Sequence, residues 1–227
     1  MSLTETPISI VIMLATVLIS ISGFNNQEFK RKLLFNPYLV KEHNEWYRAF
    51  SHAFIHSDYM HLFFNLFVFH WAGTQLEILF TNPIEWQITF PDYPFWGVMK
   101  GRLYFITLYI GGFLFATLPA MRKHSGNPGY NSLGASGAVS AVLLGFIMLK
   151  PLAELHFIFL PMIPLPAFVM GILFFAYEKY MDKRGGTGIA HDAHIGGAVF
   201  GVLFLALINF KFILRFFELI RNWIGIF

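Results

Sequence analysis

The sequence predicts an all-α membrane protein: a bundle of six transmembrane helices with an interfacial first loop and a C-terminal amphipathic helix. Composition is the first reason. Of 227 residues, 56% are apolar and 13% charged, where soluble domains carry about 25% charged residues, and the mean hydropathy is +0.57. The second reason is that apolar runs recur along the chain at lengths near the roughly 20 residues a helix needs to cross the hydrocarbon core. A soluble domain and a disordered chain are both excluded. The absence of cysteine removes disulfides, thiolate metal sites and a cysteine nucleophile. Lys30-Arg31-Lys32 is the one run of three basic residues behind a net charge of +3, and it reads as a headgroup-facing loop, so no nucleic-acid partner is expected.

Taken in order, Ile8 to Gly23 is the first span, preceded by Pro7, which suits a helix start because its missing N–H costs nothing there. The basic leader and small-residue cleavage site of a signal peptide are missing, so this helix is expected to be retained. Phe24 to Asp58 is polar and aromatic and reads as a loop lying partly in the interface. Tyr59 to Phe80 is span two, and Thr81 to Lys100, with three prolines, a second interfacial loop. Span three covers Arg102 to Leu118, ended by Pro119, with a loop from Met121 to Asn131. Span four, Ser136 to Leu149, is short, which implies that its start lies below the membrane surface. His156 to Tyr177 is span five, loosened by Pro161, Pro164 and Pro166, and Ala193 to Phe210 is span six. Between them the glycine-rich Lys183 to Gly188 segment could close a turn or act as a lid. The tail from Lys211 spaces Lys211, Arg215, Glu218 and Arg221 along one helix face, as an interfacial helix would.

Polar side chains inside such spans are costly and so mark candidate sites. His61 and Asn65, four apart, share a face of span two, whereas His70 falls on another. Span four opens with Gly134-Ala135-Ser136-Gly137. Gly134 permits a tight turn, Gly137 close approach to Ser136, and the unpaired N–H groups of a helix start suit a developing oxyanion. Membrane helices also use Gly and Ser merely to pack closely. Span six opens with His191-Asp192-Ala193-His194, and Gly197 and Gly201 lie on the same face as His194. A helix packed on those glycines meets His194, and if it is span four, Ser136 gains the base that a serine nucleophile needs. Register favours His194 over His191, which reads as a loop-edge residue beside Asp192.

From Tyr47 to Gly201 the chain resembles the rhomboid family of intramembrane serine proteases. The resemblance rests on His56, His61 and Asn65 in the family's spacing, on Gly134-Ala135-Ser136-Gly137, and on Ala193-His194 with Gly197 and Gly201. It implies a six-helix protease domain over 1–210 with an added helix over 211–227, and no cofactor or metal. Ser136 would be the nucleophile and His194 the base, a dyad without a carboxylate, with His61, Asn65 and the Ser136 N–H as oxyanion donors. Gly134, Gly137, His56, Arg48, Gly197 and Gly201 would support them, and Glu77 resembles a structural carboxylate of the family. The implied partners are transmembrane protein substrates and the lipid bilayer, with a bacterial inner (cell) membrane as the expected location and the oligomeric state open.

Two features depart from the family pattern. An aromatic residue commonly stacks on the histidine from four places after the nucleophile, and here Ser140 stands there, so another group must orient His194. The family's orientation, amino terminus inside, leaves six Lys and Arg inside and ten outside, against the positive-inside rule. Two rival readings remain: an inactive protein that binds transmembrane segments, and a metal or haem protein using His52/His56 or His191/His194. The acidic residues do not cluster with the histidines in the sequence, which weakens the latter.

Overall fold

The computed structural model describes residues 5–157, 160–184 and 190–225, with 156, 157 and 160–163 described by backbone alone. The helices in chain order are α1 (Pro7–Asn25), α2 (Gln27–Leu33), α3 (Pro37–His43), α4 (Arg48–Ser51), α5 (Tyr59–Thr81), α6 (Pro83–Thr89), α7 (Val98–Ala116), α8 (Leu118–His124), α9 (Ser136–Leu149), α10 (Ala167–Arg184), α11 (His191–Ile208) and α12 (Lys211–Ile224). A short hairpin, β1 (Glu154–Phe157) with β2 (Leu160–Pro166), precedes α10.

At the centre stands α9. All of its residues except Ser136 and Leu143 are buried, and α5, α7 and α11 surround it. That position explains its composition: a helix buried on every side is apolar all round, and its small residues let neighbouring backbones approach. The outer helices show the reverse of a soluble pattern. α1 buries Ser9, Thr16, Ser20 and Gly23 and turns Val11, Leu14 and Leu18 outward. On α7 and α11, Leu103, Ile106, Leu203 and Leu207 likewise face outward. Apolar side chains on the outside and small or polar ones on the inside fit a lipid solvent. Pro7–Asn25, the stretch Val98–His124 and His191–Ile208 are long and apolar enough to cross a membrane.

Buried carboxylates and guanidiniums bind elements together. As first-turn residues of α1, Ile8 and Ser9 have no intrahelical carbonyl for their N–H groups, and Glu77 from α5 accepts both, at 2.9 Å and 2.7 Å. Glu77 thus caps a neighbouring helix, consistent with a structural carboxylate. Arg48 is buried in the first loop, where it pairs with Glu45 and donates to the carbonyls of Arg31 and Leu34 at 3.0 and 2.9 Å. It orders that loop, and its own carbonyl faces His52 Nδ1 at 3.0 Å.

Three expectations need correction. The prolines of the fifth apolar run do not loosen a helix but prevent one. Interior proline removes a hydrogen bond and clashes with the preceding turn, so Leu160–Pro166 is an extended strand against Glu154–Phe157 and the helix starts only at Ala167. Pro119 does not end the helical stretch after α7 either. It occupies the first turn of α8, a position proline tolerates. Finally, the charged stripe of α12 is not all turned to solvent. Arg215 donates to the carbonyls of Leu149 at 3.1 Å and Thr89 at 2.8 Å, while buried Phe212 enters an aromatic cluster with Trp86, Phe90, Tyr93 and Trp96. The tail helix is fastened to the C-terminal end of α9.

Candidate active site

Ser136 is the first residue of α9, and two neighbours set its approach. Gly134 has φ +111°, a backbone conformation that L side chains rarely adopt, and a Cβ there would lie 2.9 Å from the His61 ring. Its N–H donates to the carbonyl of His52 at 2.9 Å. Further back, Ser132 and Phe35 exchange backbone hydrogen bonds of 2.9 and 3.0 Å, tying the approach strand to the first loop. The chain therefore enters α9 along a path fixed from outside.

His56 fixes the same approach from the other side. Its Nε2 accepts the Ala135 N–H at 3.4 Å and its Nδ1 faces Ser20 Oγ at 2.9 Å, while that hydroxyl donates to the carbonyl of Phe54. These bonds close only with the proton on Nδ1. Burial, reinforced by neighbouring His61, lowers the His56 pKa to about 3, and burial lowers that of His52 to about 4. Both rings are neutral in the folded protein at neutral pH. The unfolded chain takes up these protons near pH 6.5, so stability is full above that pH and falls as pH drops toward the folded values. Each histidine contributes a slope of up to about 1.4 kcal/mol per pH unit. The heat-denaturation midpoint in detergent is expected to fall steadily between pH 6.5 and 4.5, and His52→Gln should flatten that dependence.

Opposite Ser136 is α11. A Cβ on Gly197 would lie 2.0 Å from the Gly137 carbonyl oxygen, and one on Gly201 would lie 2.4 Å from that of Ala141, so α9 and α11 touch backbone to backbone. Gly137 in turn makes room for Ala116 of α7, whose Cβ would be 2.4 Å from an added one. This crossing brings His194 Nε2 to 2.7 Å from Ser136 Oγ. The His194 side chain keeps 16% exposure.

The other ring nitrogen of His194 is held by a residue the sequence reading missed. Nδ1 lies 3.0 Å from Glu178 Oε2 on α10, and the same oxygen lies 2.6 Å from His191 Nδ1. Glu178 and His191 are buried, at 5% and 3% exposure. His191 does begin α11 at the loop edge, but its ring is buried against Glu178, so an acidic residue does cluster with histidines in space. The signal available in the sequence was an acidic residue following an apolar run, but Lys179, Asp182 and Lys183 close behind make it look like an ordinary helix end. Glu178, His191 and His194 are also the group among the described residues that could hold a metal ion, their donor atoms lying within 4.8 Å of one another. His52 and His56 are not a ligand pair, since their Nδ1 atoms face the Arg48 carbonyl and Ser20.

Of the remaining candidates, His61 stands beside Gly134, edge-to-face with His56 at 4.8 Å between ring centroids, and its Nδ1 faces Ser57 Oγ at 3.0 Å. Asn65 is buried one turn further and donates to the His61 carbonyl at 2.9 Å. His70 is exposed on a different face. Of the glycine-rich segment read as a turn or lid, Lys183 and Arg184 end α10, and the remainder lies outside the described residues.

The outward-facing apolar helices mark an integral membrane protein, and they enclose a row of serine, imidazole and carboxylate side chains. A family model for the Rhomboid domain matches residues 43–210. The chain belongs to the rhomboid family. It is 27% identical over 190 residues to RHOMBOID-like protein 12, mitochondrial, of Arabidopsis thaliana, covering 80% of this chain and 53% of that protein. It is 33% identical over 109 residues to Presenilin-associated rhomboid-like protein A, mitochondrial, of Danio rerio, covering 47% of this chain and 28% of that protein. The chain thus spans about half the length of the first of these relatives and less of the second. Both are mitochondrial by name, and neither favours the bacterial membrane expected from the sequence.

Proposed function

We propose that this protein is an intramembrane serine protease that hydrolyses peptide bonds in or near transmembrane segments of other membrane proteins, with Ser136 as nucleophile and His194 as general base. The observation that carries the reading is the 2.7 Å contact between Ser136 Oγ and His194 Nε2 inside a lipid-facing bundle. In this scheme α1, α5, α7, α9, α10 and α11 are the six crossing elements, over a protease domain of residues 1–210. His194 takes the hydroxyl proton as Oγ adds to the scissile carbonyl and returns it to the leaving amine. Water then hydrolyses the acyl-serine by the same exchange. An inactive segment-binding protein would have no need of the aligned pair. Incubation with a fluorophosphonate probe should label Ser136 in the wild type and leave His194→Ala unlabelled. Labelling of a different serine would sink the assignment.

The oxyanion is assigned to the first-turn N–H groups of α9, which have no intrahelical carbonyl to bond, with His61 and Asn65 as side-chain donors from α5. Removing one oxyanion donor costs roughly a hundred- to a thousandfold in other serine hydrolases. His61→Ala and Asn65→Ala are accordingly expected to lower kcat within that range without abolishing it. Unchanged turnover in both would make the pair structural.

A further inference from the structure

We propose that Glu178 is the positioning residue for His194 and that His191 holds the carboxylate in place, so that the site works as a serine–histidine–glutamate row rather than a dyad. This rests on the Ser136–His194 reading above. The two faces of the His194 ring are both committed: Nε2 at 2.7 Å from the hydroxyl, Nδ1 at 3.0 Å from Glu178 Oε2. An imidazole that donates its Nδ1–H to a carboxylate presents a lone pair at Nε2, the tautomer a base needs. Ser140, one turn along α9 from Ser136, has no ring to stack on the imidazole. The orienting group comes instead from a different helix, α10.

His191 gives the arrangement its rigidity. A glutamate has three side-chain torsions, and one contact would leave it free to swing. Here one oxygen faces two ring nitrogens, at 2.6 Å from His191 and 3.0 Å from His194, and the two rings meet nearly perpendicular at 6.0 Å between centroids. Their i, i+3 spacing on α11 puts both imidazoles on the side facing α10. Outside the pair, Lys123 of α8 reaches Asp192 at 2.7 Å and Asp182 at 4.0 Å, joining α11 to α10 at the same end. During attack the Ser136 proton moves to Nε2, the Oγ–carbon bond forms, and the imidazolium faces an ionised Glu178. The carboxylate keeps its charge throughout, and the proton leaves with the amine. A buried carboxylate fixed beside the imidazolium stabilises that state more than solvent would.

The test uses full-length protein reconstituted with a transmembrane substrate, comparing Glu178→Gln, Glu178→Asp and the wild type. Glutamine keeps the size of the side chain but can offer its NH₂ to Nδ1, which favours the wrong tautomer. The expected result is a fall in kcat of about 10² to 10⁴ for Glu178→Gln with KM little changed, and partial recovery in Glu178→Asp. Nitrogen NMR of labelled histidine should show His194 protonated on Nδ1 in the wild type and shifted toward Nε2 protonation in Glu178→Gln. A purely structural role would lower the denaturation midpoint without altering the tautomer. Wild-type kcat and tautomer in a folded Glu178→Gln protein would overturn the proposal, as would activity that disappears on chelation, because a metal held by these three residues would occupy Nδ1. Fluorophosphonate labelling separates the two readings. Unlabelled Ser136 in the wild type defeats the parent assignment, whereas labelling at the wild-type rate in Glu178→Gln defeats this one alone.

Discussion

Ser136→Ala and His194→Ala are each expected to abolish cleavage of a transmembrane substrate in reconstituted vesicles, and the double variant to be no worse than either. The expectation follows from how the two groups work. A serine hydroxyl is a weak nucleophile at neutral pH until a base accepts its proton, and His194 Nε2 at 2.7 Å is placed to do so. Without the hydroxyl there is no acyl intermediate; without the imidazole the hydroxyl is unactivated. Removing one member of such a unit forfeits nearly all that the unit supplies, up to about 10⁶ in kcat, so the losses do not add. Both side chains are partly exposed at the site, and shortening either leaves the glycine contacts between α9 and α11 intact. Denaturation midpoints should therefore stay near that of the wild type. Clear residual turnover in Ser136→Ala, or a double variant much slower than both singles, would show that the chemistry runs through other groups.

The parts of this site that were legible in the sequence share a property: their signal is local. Ser136 sits in a glycine-flanked helix start, His194 shares a helical face with Gly197 and Gly201, and His61 and Asn65 are four apart. Periodicity alone places such residues on faces, and small residues say which faces touch. Span four was readable to the residue because α9 is apolar between a glycine-rich entry and Lys150-Pro151. What was not legible depends on contacts between distant segments. Glu178 is 13 positions from His191 and on another helix, and nothing in its own neighbourhood tells a solvated helix end from a buried carboxylate. Arg215 reads as one charge of an amphipathic stripe until α12 folds under α9 and its guanidinium meets the Leu149 carbonyl. The strand over Leu160–Pro166 had a local signal, three prolines in six residues, but hydropathy outweighed it.

The crossing of α9 and α11 leads to a second large expected effect. Gly197→Ala should destroy most of the activity although neither Ser136 nor His194 is touched. A methyl at 197 would lie 2.0 Å from the Gly137 carbonyl oxygen and 2.7 Å from its carbon. Both are backbone atoms of a helix packed on all sides, so they cannot rotate away as a side-chain tip could. The helices must separate by more than an ångström, and the displacement falls one turn from His194, opening a 2.7 Å hydrogen bond beyond useful length. Misplacement of about 1 Å can cost roughly a hundredfold in rate, while overpacking a tight contact costs about 1–3 kcal/mol of stability. Gly111→Ala is the matching control. Its methyl would meet the tip of the Phe200 ring on α11 at 2.1 Å, and a side-chain end can shift where a backbone carbonyl cannot. The expected pattern is a large loss of kcat and of fluorophosphonate labelling for Gly197→Ala, with Gly111→Ala close to wild type in both. If Gly197→Ala is labelled and turns over normally, the backbone contact between α9 and α11 does not set the distance between Ser136 and His194.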